Sequence, residues 1–132
     1  MDIVDLPERI TGPSAWYGPD LAASGAWLVT LDSAQSAEVE GQAQAYLAKG
    51  GDIAQMTKAD FALPKSVPLI REAVDECLHR RGFVVLRGLP PHAENIPMAA
   101  AMFYGIGTHM GNARSQNGKG HLLGHVCDLG LS

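Results

Sequence analysis

The side chains best suited to metal chemistry in this 132-residue chain are histidines and a cysteine near its C-terminal end. His121 and His125 are four residues apart, a spacing that places two ligands on one face of a helix. Gly124 and the apolar residues around it instead predict an extended segment, in which positions four apart are separated by about 13 Å. One zinc ion cannot bridge that distance without a bend, and adding Cys127 as a third ligand does not shorten it. The pattern therefore disfavours a zinc site, and elemental analysis for zinc would test this.

A second metal-like pattern is the His-x-acid spacing of His92 and Glu94, which non-haem iron sites use. This pair follows two prolines and precedes a predicted helix cap, so a solvated loop explains it better. Gly105 and Gly107 lack the third glycine and the preceding strand of a nucleotide-binding loop. From composition and spacing alone, the sequence shows no complete active site.

The best candidate for a binding region is the stretch of residues 108–120, in which glycines alternate with hydrogen-bonding side chains and apolar residues are scarce. Binding groups are often placed on loops of this composition, because a rigid scaffold can position them there. A solvated surface loop has the same composition. The residue types alone leave both interpretations open.

A scaffold of helices and strands must position such a loop, and its clearest local signals are at residues 81–90. These residues predict the end of a helix followed by a strand. Cationic residues 79–81 complement the negative end of a helix dipole, and Gly82 supplies the left-handed residue that ends the helix. Residues 83–86 are apolar without a break, which predicts a strand buried on both faces. Gly88 and two following prolines end that strand.

Local capping signals predict a first helix over residues 34–49. Asp32 or Ser33 can cap its N-terminus, and Gln35 stands three residues after Asp32, as a capping box requires. Two glycines at positions 50–51 end it. Its apolar face consists mostly of alanine, which predicts a thin outer helix.

Two further helices and a second strand are predicted downstream. One helix begins at Ser66 as its cap and leads into the strand described above. The other is capped by Asn95, ends at Gly105 and Gly107, and is apolar nearly all round, so we expect it to be buried. Residues 121–127 predict another short strand.

Prolines and glycines indicate an irregular arm over residues 1–33. The arm is followed by a helix and strand region at residues 34–132, and residues 1–132 together are predicted to be a single portion of one domain. Trp16 and Trp27 in the arm could stack on a ligand. Anchoring of the arm to the core is the favoured interpretation, because no charged or metal-binding groups cluster with them. Four apolar residues of the connector between the first two helices are expected to contact the core: Ile53, Met56, Phe61 and Leu63.

Composition indicates a folded cytoplasmic protein. The chain is 46% hydrophobic and 18% charged, and its formal net charge of −4 gives no general attraction to nucleic acid or to anionic membranes. Two cysteines do not form a disulfide framework, which favours a reducing compartment. The acidic start is unlike a signal peptide, and no apolar run approaches the roughly 20 residues that cross a bilayer.

Five segments, in chain order, resemble one family. They are residues 16–21 with Trp27, 81–90, 107–111, 115–121 and 126–130. Together they are similar to the N-terminal region of the TauD/TfdA family, the non-haem Fe(II)- and 2-oxoglutarate-dependent dioxygenases related to taurine dioxygenase and clavaminate synthase. The similarity spans residues 12–132.

The resemblance implies an α+β chain that supplies the N-terminal helices and first strands of a double-stranded β-helix, or jelly roll, which is incomplete here. In the family, Fe(II) is held by a His-x-Asp/Glu pair and a later histidine, and an arginine binds 2-oxoglutarate. These residues follow the segment that ends this chain, so no catalytic or metal residue is carried over. Four residues match a loop that borders the substrate pocket in relatives and are predicted to bind substrate: Asn112, Ser115, Gln116 and Asn117.

The leading hypothesis is therefore the N-terminal part of a dioxygenase that hydroxylates a small organic substrate. The 132-residue chain alone is predicted to be inactive and to bind neither Fe(II) nor 2-oxoglutarate. The alternative is a non-catalytic α/β interaction or regulatory module derived from that fold. Since unpaired strand edges favour association, a homo-oligomer or a complementing C-terminal chain is the expected macromolecular partner.

Overall fold

The computed structural model describes residues 7–130, which contain four α-helices and two short strands. The helices are α1 (Gly18–Ser24), α2 (Ser33–Ala48), α3 (Val67–His79) and α4 (Ile96–Thr108), and the strands are β1 (Leu28–Thr30) and β2 (Val85–Arg87). The two strands pair in parallel, with Leu28 opposite Val85. The α+β class is confirmed for this part of the chain.

Helix α2 begins as its sequence predicts. The Asp32 carboxylate accepts a hydrogen bond from the backbone N–H of Gln35 at 2.8 Å, and the Gln35 side chain accepts one from the Asp32 N–H at 2.9 Å. This reciprocal pair is a capping box, and it identifies Asp32 as the cap in preference to Ser33. The helix ends before Gly50, which has a positive φ of 73°.

Helix α3 forms where predicted, but Ser66 does not cap it with its own side chain. The Ser66 hydroxyl donates instead to the Glu38 carboxylate on α2, at 2.7 Å. That carboxylate also accepts from the backbone N–H groups of Lys65 and Ser66, each at 2.9 Å. The prediction that Ser66 is the N-cap residue is confirmed by position, but its side chain binds Glu38 of α2, and the same carboxylate binds the two N–H groups that directly precede the helix.

The end of α3 agrees with the prediction at Gly82, whereas the cationic residues nearby form ion pairs with side chains of α3. Gly82 is left-handed, with φ at 93°, and its N–H bonds to the Glu76 carbonyl, as expected for a helix exit. The cations nearby form ion pairs: Arg80 with Asp75 and Glu76, and Arg81 with Glu76.

Helix α4 is longer than its sequence predicts. Asn95 caps it by accepting from the Met98 N–H at 3.2 Å, which confirms that end. The predicted stop at Gly105 and Gly107 is wrong, because the helix continues to Thr108. A Cβ atom at position 105 would lie 2.5 Å from the Phe61 ring, so the glycine serves close packing inside the helix and not its termination.

The core lies between α2 and α4 and is closed by the connector before α3. Its fully buried members include Val39 and Ala43 of α2 and Ala101 of α4. The connector forms two 3-10 turns, Ile53–Gln55 and Lys58–Asp60. All four of its predicted core residues are confirmed: Met56, Phe61 and Leu63 are buried, and Ile53 packs against the cluster.

The N-terminal arm is more regular than predicted, since it contains α1 and β1. Trp16 packs on the ring of Phe83 at a centroid distance of 5.3 Å, although half of its surface stays exposed. The Arg81 side chain donates to the Ala26 carbonyl at 3.0 Å. These contacts attach the arm to the end of α3 and to the chain entering β2.

Neither strand prediction is fully correct. The first predicted strand is displaced to Val85–Arg87, and Val85 is 43% exposed, so burial on both faces is wrong. Within residues 7–130 the sheet has two strands, which leaves little to cover it. Residues 121–127 form no strand, because no neighbouring strand pairs with them. No helix described in residues 7–130 has the length and apolarity that crossing a membrane requires.

Candidate functional site

A cleft of about 670 Å³ lies beside the C-terminal half of α4. We call it the main cleft. Its other walls are the connector turns and the segment that follows α4. Apolar side chains dominate the lining, chiefly Phe103, Met110, Leu122 and Leu123. A mainly apolar cleft with a few polar groups is the usual form of a small-molecule site.

Two of the five polar side chains that line the main cleft are already bound within the chain. The Thr57 hydroxyl donates to the Asp60 carboxylate at 2.8 Å, and the Thr108 hydroxyl donates to the Gly105 carbonyl at 2.6 Å. Lys58 is the one charged residue among those that line the cleft, and it forms no ion pair with a carboxylate of residues 7–130. The Lys58 ammonium, the Tyr104 hydroxyl and the Asn112 amide are therefore the groups with most capacity to bind a ligand.

Two titratable residues hold the connector wall in place. Hydrogen bonds from the Thr57 backbone and side chain lower the pKa of Asp60, so its carboxylate stays ionised. Burial, and then the charges of Asp60 and Asp52, raise the pKa of Tyr46. The neutral Tyr46 phenol donates to the Asp52 carbonyl at 2.7 Å, which anchors the connector to α2.

The four predicted substrate-binding residues separate into two groups. Asn112 lines the main cleft, but Ser115, Gln116 and Asn117 lie outside its lining. Their side chains form a local turn: Ser115 donates to the Asn117 carbonyl and Gln116 to the Arg114 carbonyl, each at 2.8 Å.

Asn117 is the centre of that turn. Its side-chain oxygen accepts from the backbone N–H groups of Lys119 at 3.0 Å and His121 at 3.2 Å. Shaping the loop is thus an observed role for these three side chains. Substrate binding by any of the four remains a prediction.

Sequence reasoning missed Phe103 and Lys58 as cleft residues. Phe103 was included in an all-buried helix, yet its side chain is 68% exposed. The signal was present in α4, where apolar residues occupy more than the single face that a neighbouring helix can cover. Nothing local distinguishes Lys58 from other exposed lysines.

The residues described here do not fit an iron centre. Residues 7–130 contain no group of three or more His, Cys, Asp or Glu side chains that could hold a metal ion. His92 contacts Glu40 at 2.9 Å, and not Glu94, while His121 contacts the Asn117 amide at 2.9 Å. A facial iron site needs three ligands that converge on one point. We therefore assign no iron-dependent chemistry to these residues.

Comparison with known proteins gives two relatives, although no family model matches the chain. FR-33289 synthase of Streptomyces rubellomurinus is 25% identical over 125 residues, which cover 95% of this chain and 37% of that protein. The taurine hydroxylase-like protein SAT17 of Stachybotrys chartarum is 29% identical over 126 residues, which cover 95% of this chain and 33% of that protein.

The chain thus spans about a third of the length of the curated relatives that it matches. The matched region includes the arm, all four helices and the loop that contains Asn112. Similarity over nearly the whole chain to a taurine hydroxylase-like protein confirms the resemblance to the TauD/TfdA family of dioxygenases that its motifs indicate.

Proposed function

We propose that this chain is the N-terminal part of a cytoplasmic Fe(II)- and 2-oxoglutarate-dependent dioxygenase that hydroxylates a small organic substrate. The observation that carries the proposal is the similarity of 95% of the chain to two proteins, one of them named as taurine hydroxylase-like. Because the chain matches only about a third of each, the groups that bind iron and 2-oxoglutarate belong to a further part of the fold. Either the same polypeptide or a second one supplies that part.

In this proposal residues 1–132 form one portion of the enzyme, and the arm is attached through Trp16 and Ala26 to the chain between α3 and β2. The β1–β2 pair is the beginning of the jelly roll. Two features support this. Isolated parallel pairs are rare, because parallel strands are normally covered on both faces, and Val85 of β2 is 43% exposed. The open edge of the sheet provides unpaired backbone groups to which further strands can add.

The main cleft is the part of this chain that we assign to the substrate side of the enzyme. Its apolar wall suits the carbon skeleton of a small molecule, and Asn112 supplies an amide that can both donate and accept hydrogen bonds. The turn held by Asn117 follows directly and determines where residues 112–114 lie. The chain contributes binding and orientation, and bound iron would supply the oxidising chemistry.

Complementation tests the proposal. The chain is incubated with Fe(II), 2-oxoglutarate, ascorbate and oxygen, with or without a polypeptide that carries the remaining two-thirds of the taurine hydroxylase-like relative. We expect succinate formation only when both polypeptides are present. Asn112→Ala should lower the coupling of succinate formation to substrate hydroxylation, whereas Glu72→Ala, an exposed change on α3, should not.

Two results would contradict the proposal. Succinate formed by this chain alone would show that it carries its own iron ligands. An authentic stop codon after Ser132, together with no partner that restores turnover, would favour the non-catalytic interaction or regulatory module. An in-frame His-x-Asp pair shortly downstream would support the enzyme.

A further inference from the structure

Asn117 is followed directly by Gly118, and this is the one Asn-Gly pair in the 132-residue sequence. The other two asparagines, Asn95 and Asn112, precede an isoleucine and an alanine. All three asparagines are exposed, so water reaches each of them. Because glycine has no Cβ atom, its backbone nitrogen can approach the preceding side chain more closely than that of any other residue. The Asn117 amide is therefore the one most open to attack by the nitrogen that follows it.

The backbone nitrogen of Gly118 is free for such an attack. Its N–H donates none of the hydrogen bonds formed within residues 7–130, although the N–H groups on its C-terminal side are all bonded to Asn117. Those groups belong to Lys119, Gly120 and His121, at 3.0, 3.1 and 3.2 Å. No hydrogen bond has to break before the Gly118 nitrogen reacts.

The contacts of the Asn117 side chain match what the attack requires. Its Oδ1 atom is the acceptor of the Lys119 and His121 N–H groups. Negative charge develops on that oxygen when a nucleophile adds to the side-chain carbon, and preorganised N–H donors stabilise it. The Nδ2 atom, which would leave, lies 2.9 Å from Nδ1 of His121. A ring nitrogen at that distance can carry a proton to the leaving group.

We propose that Asn117 is a site of spontaneous deamidation and that its own turn accelerates the reaction. The Gly118 nitrogen bonds to Cγ of Asn117 and the Cγ–Nδ2 bond breaks. Nδ2 leaves as ammonia, with the proton that the Gly118 nitrogen gives up. The product is a cyclic imide, which water opens at either carbonyl to leave aspartate or isoaspartate at position 117. The reaction consumes water and needs no other reactant.

Either product alters the turn. Aspartate has an oxygen in place of Nδ2, so the contact with His121 loses its donor and the net charge falls by one from −4. Isoaspartate adds a carbon atom to the main chain, which moves the side-chain acceptor out of register with its two N–H donors. Since Asn112 and Ala113 lie just before this turn, deamidation changes one wall of the main cleft as the protein ages. That consequence rests on the proposed function, whereas the reaction uses only residues of the turn.

Peptide mapping by mass spectrometry tests the proposal on the intact chain, incubated near neutral pH at body temperature. We expect a mass gain of about 1 Da at Asn117, at least about 10 times faster than at Asn95 or Asn112. These two asparagines are internal controls, because they are exposed to the same solvent. Equal rates at all three positions would overturn the proposal.

Three variants separate the groups involved. Gly118→Ala should slow deamidation by at least about 10-fold, because the added methyl group obstructs the attacking nitrogen. A Cβ atom at position 118 meets nothing within 4 Å, so this variant keeps the turn. His121→Ala should slow the reaction by about threefold, since the proton carrier is lost. Lys119→Ala is the matched control and should leave the rate unchanged, because within residues 7–130 the Lys119 side chain forms no hydrogen bond or ion pair.

Unfolding the chain in guanidinium chloride tests the contribution of the turn. We expect Asn117 to react at least about threefold more slowly in the unfolded chain, since the two N–H donors then leave Oδ1. An equal or faster reaction of the unfolded chain would overturn the proposal, because the turn would then protect the amide. An unchanged rate in Gly118→Ala, or equal rates in His121→Ala and Lys119→Ala, would overturn it too. No measurement here depends on turnover, so this proposal and the proposed dioxygenase can fail separately.

Discussion

The region from Asp32 to Thr108 and the segment of residues 111–130 are organised by different interactions. In the first, side chains from distant positions hold one another: Glu38 binds the start of α3, and Phe61 packs on Gly105. In the second, the hydrogen bonds join residues within a few positions, as in the Asn117 turn. The hydrogen bonds of the helical region thus join distant parts of the chain, whereas those of the later segment are local.

The largest test of this contrast compares two phenylalanines. Phe61 is fully buried, so Phe61→Ala should reduce the free energy of unfolding by about 3–5 kcal/mol. Phe103 is 68% exposed, so Phe103→Ala should change the stability of the monomer by about 0.5 kcal/mol or less. Urea unfolding at low protein concentration measures both. Similar losses for the two variants would contradict the assigned burial of α4.

The contact between α2 and α3 gives the next largest effect. Glu38→Ala removes the acceptor of the Lys65 and Ser66 N–H groups and of the buried Ser66 hydroxyl. Removing the main acceptor of the buried Ser66 hydroxyl should cost about 1–3 kcal/mol of unfolding free energy. Glu72→Ala serves as the control, since Glu72 is exposed on α3. Thermal unfolding of the two variants should differ clearly, and equal midpoints would argue against the contact.

Acidification should weaken the connector through Asp60. Its pKa is lower in the folded chain, because Thr57 hydrogen bonds favour the carboxylate. The stabilisation is therefore present above the unfolded-state value of about 3.9 and is lost as the pH falls through the lower folded-state value. Asp60→Asn should flatten that part of the stability profile, whereas Asp20→Asn, on α1, should not. Urea midpoints between about pH 2.5 and 5 provide the comparison.

The smallest expected effect on stability is in the loop. Asn117→Ala removes the acceptor for two backbone N–H groups, so amide exchange at residues 119 and 121 should accelerate. The free energy of unfolding should change by no more than about 0.5 kcal/mol, because residues 111–121 are all exposed. A larger loss would mean that the segment supports the core, and the contrast between the two regions would fail.

What the sequence predicted correctly depended on short-range chemistry. The Asp32–Gln35 capping box and the Asn95 cap involve residues three apart, so the start of each helix can be read locally. Composition indicated residues 108–120 as a binding region and the family resemblance named Asn112 within it; Asn112 lines the main cleft, and its role in substrate binding stays a prediction. The α+β class followed from the same local signals.

What could not be predicted depends on partners far along the chain. Gly105 has the composition of a helix stop, and only the ring of Phe61, 44 positions earlier, shows that it allows close packing. Strand β1 has three residues and exists through its pairing with β2. Residues 121–127 have a strand-like composition but no partner strand among residues 7–130, so the same type of signal fails there.

The contact of Glu38 with the start of α3 also has a consequence for local opening. Because Glu38 of α2 binds the N–H groups of Lys65 and Ser66, which directly precede α3, fraying of α2 around Glu38 removes interactions that hold the start of α3. The two helices should therefore open together as one cooperative unit in native-state hydrogen exchange, with a shared dependence on denaturant. The C-terminal loop, whose hydrogen bonds are local, should exchange independently at lower free energies.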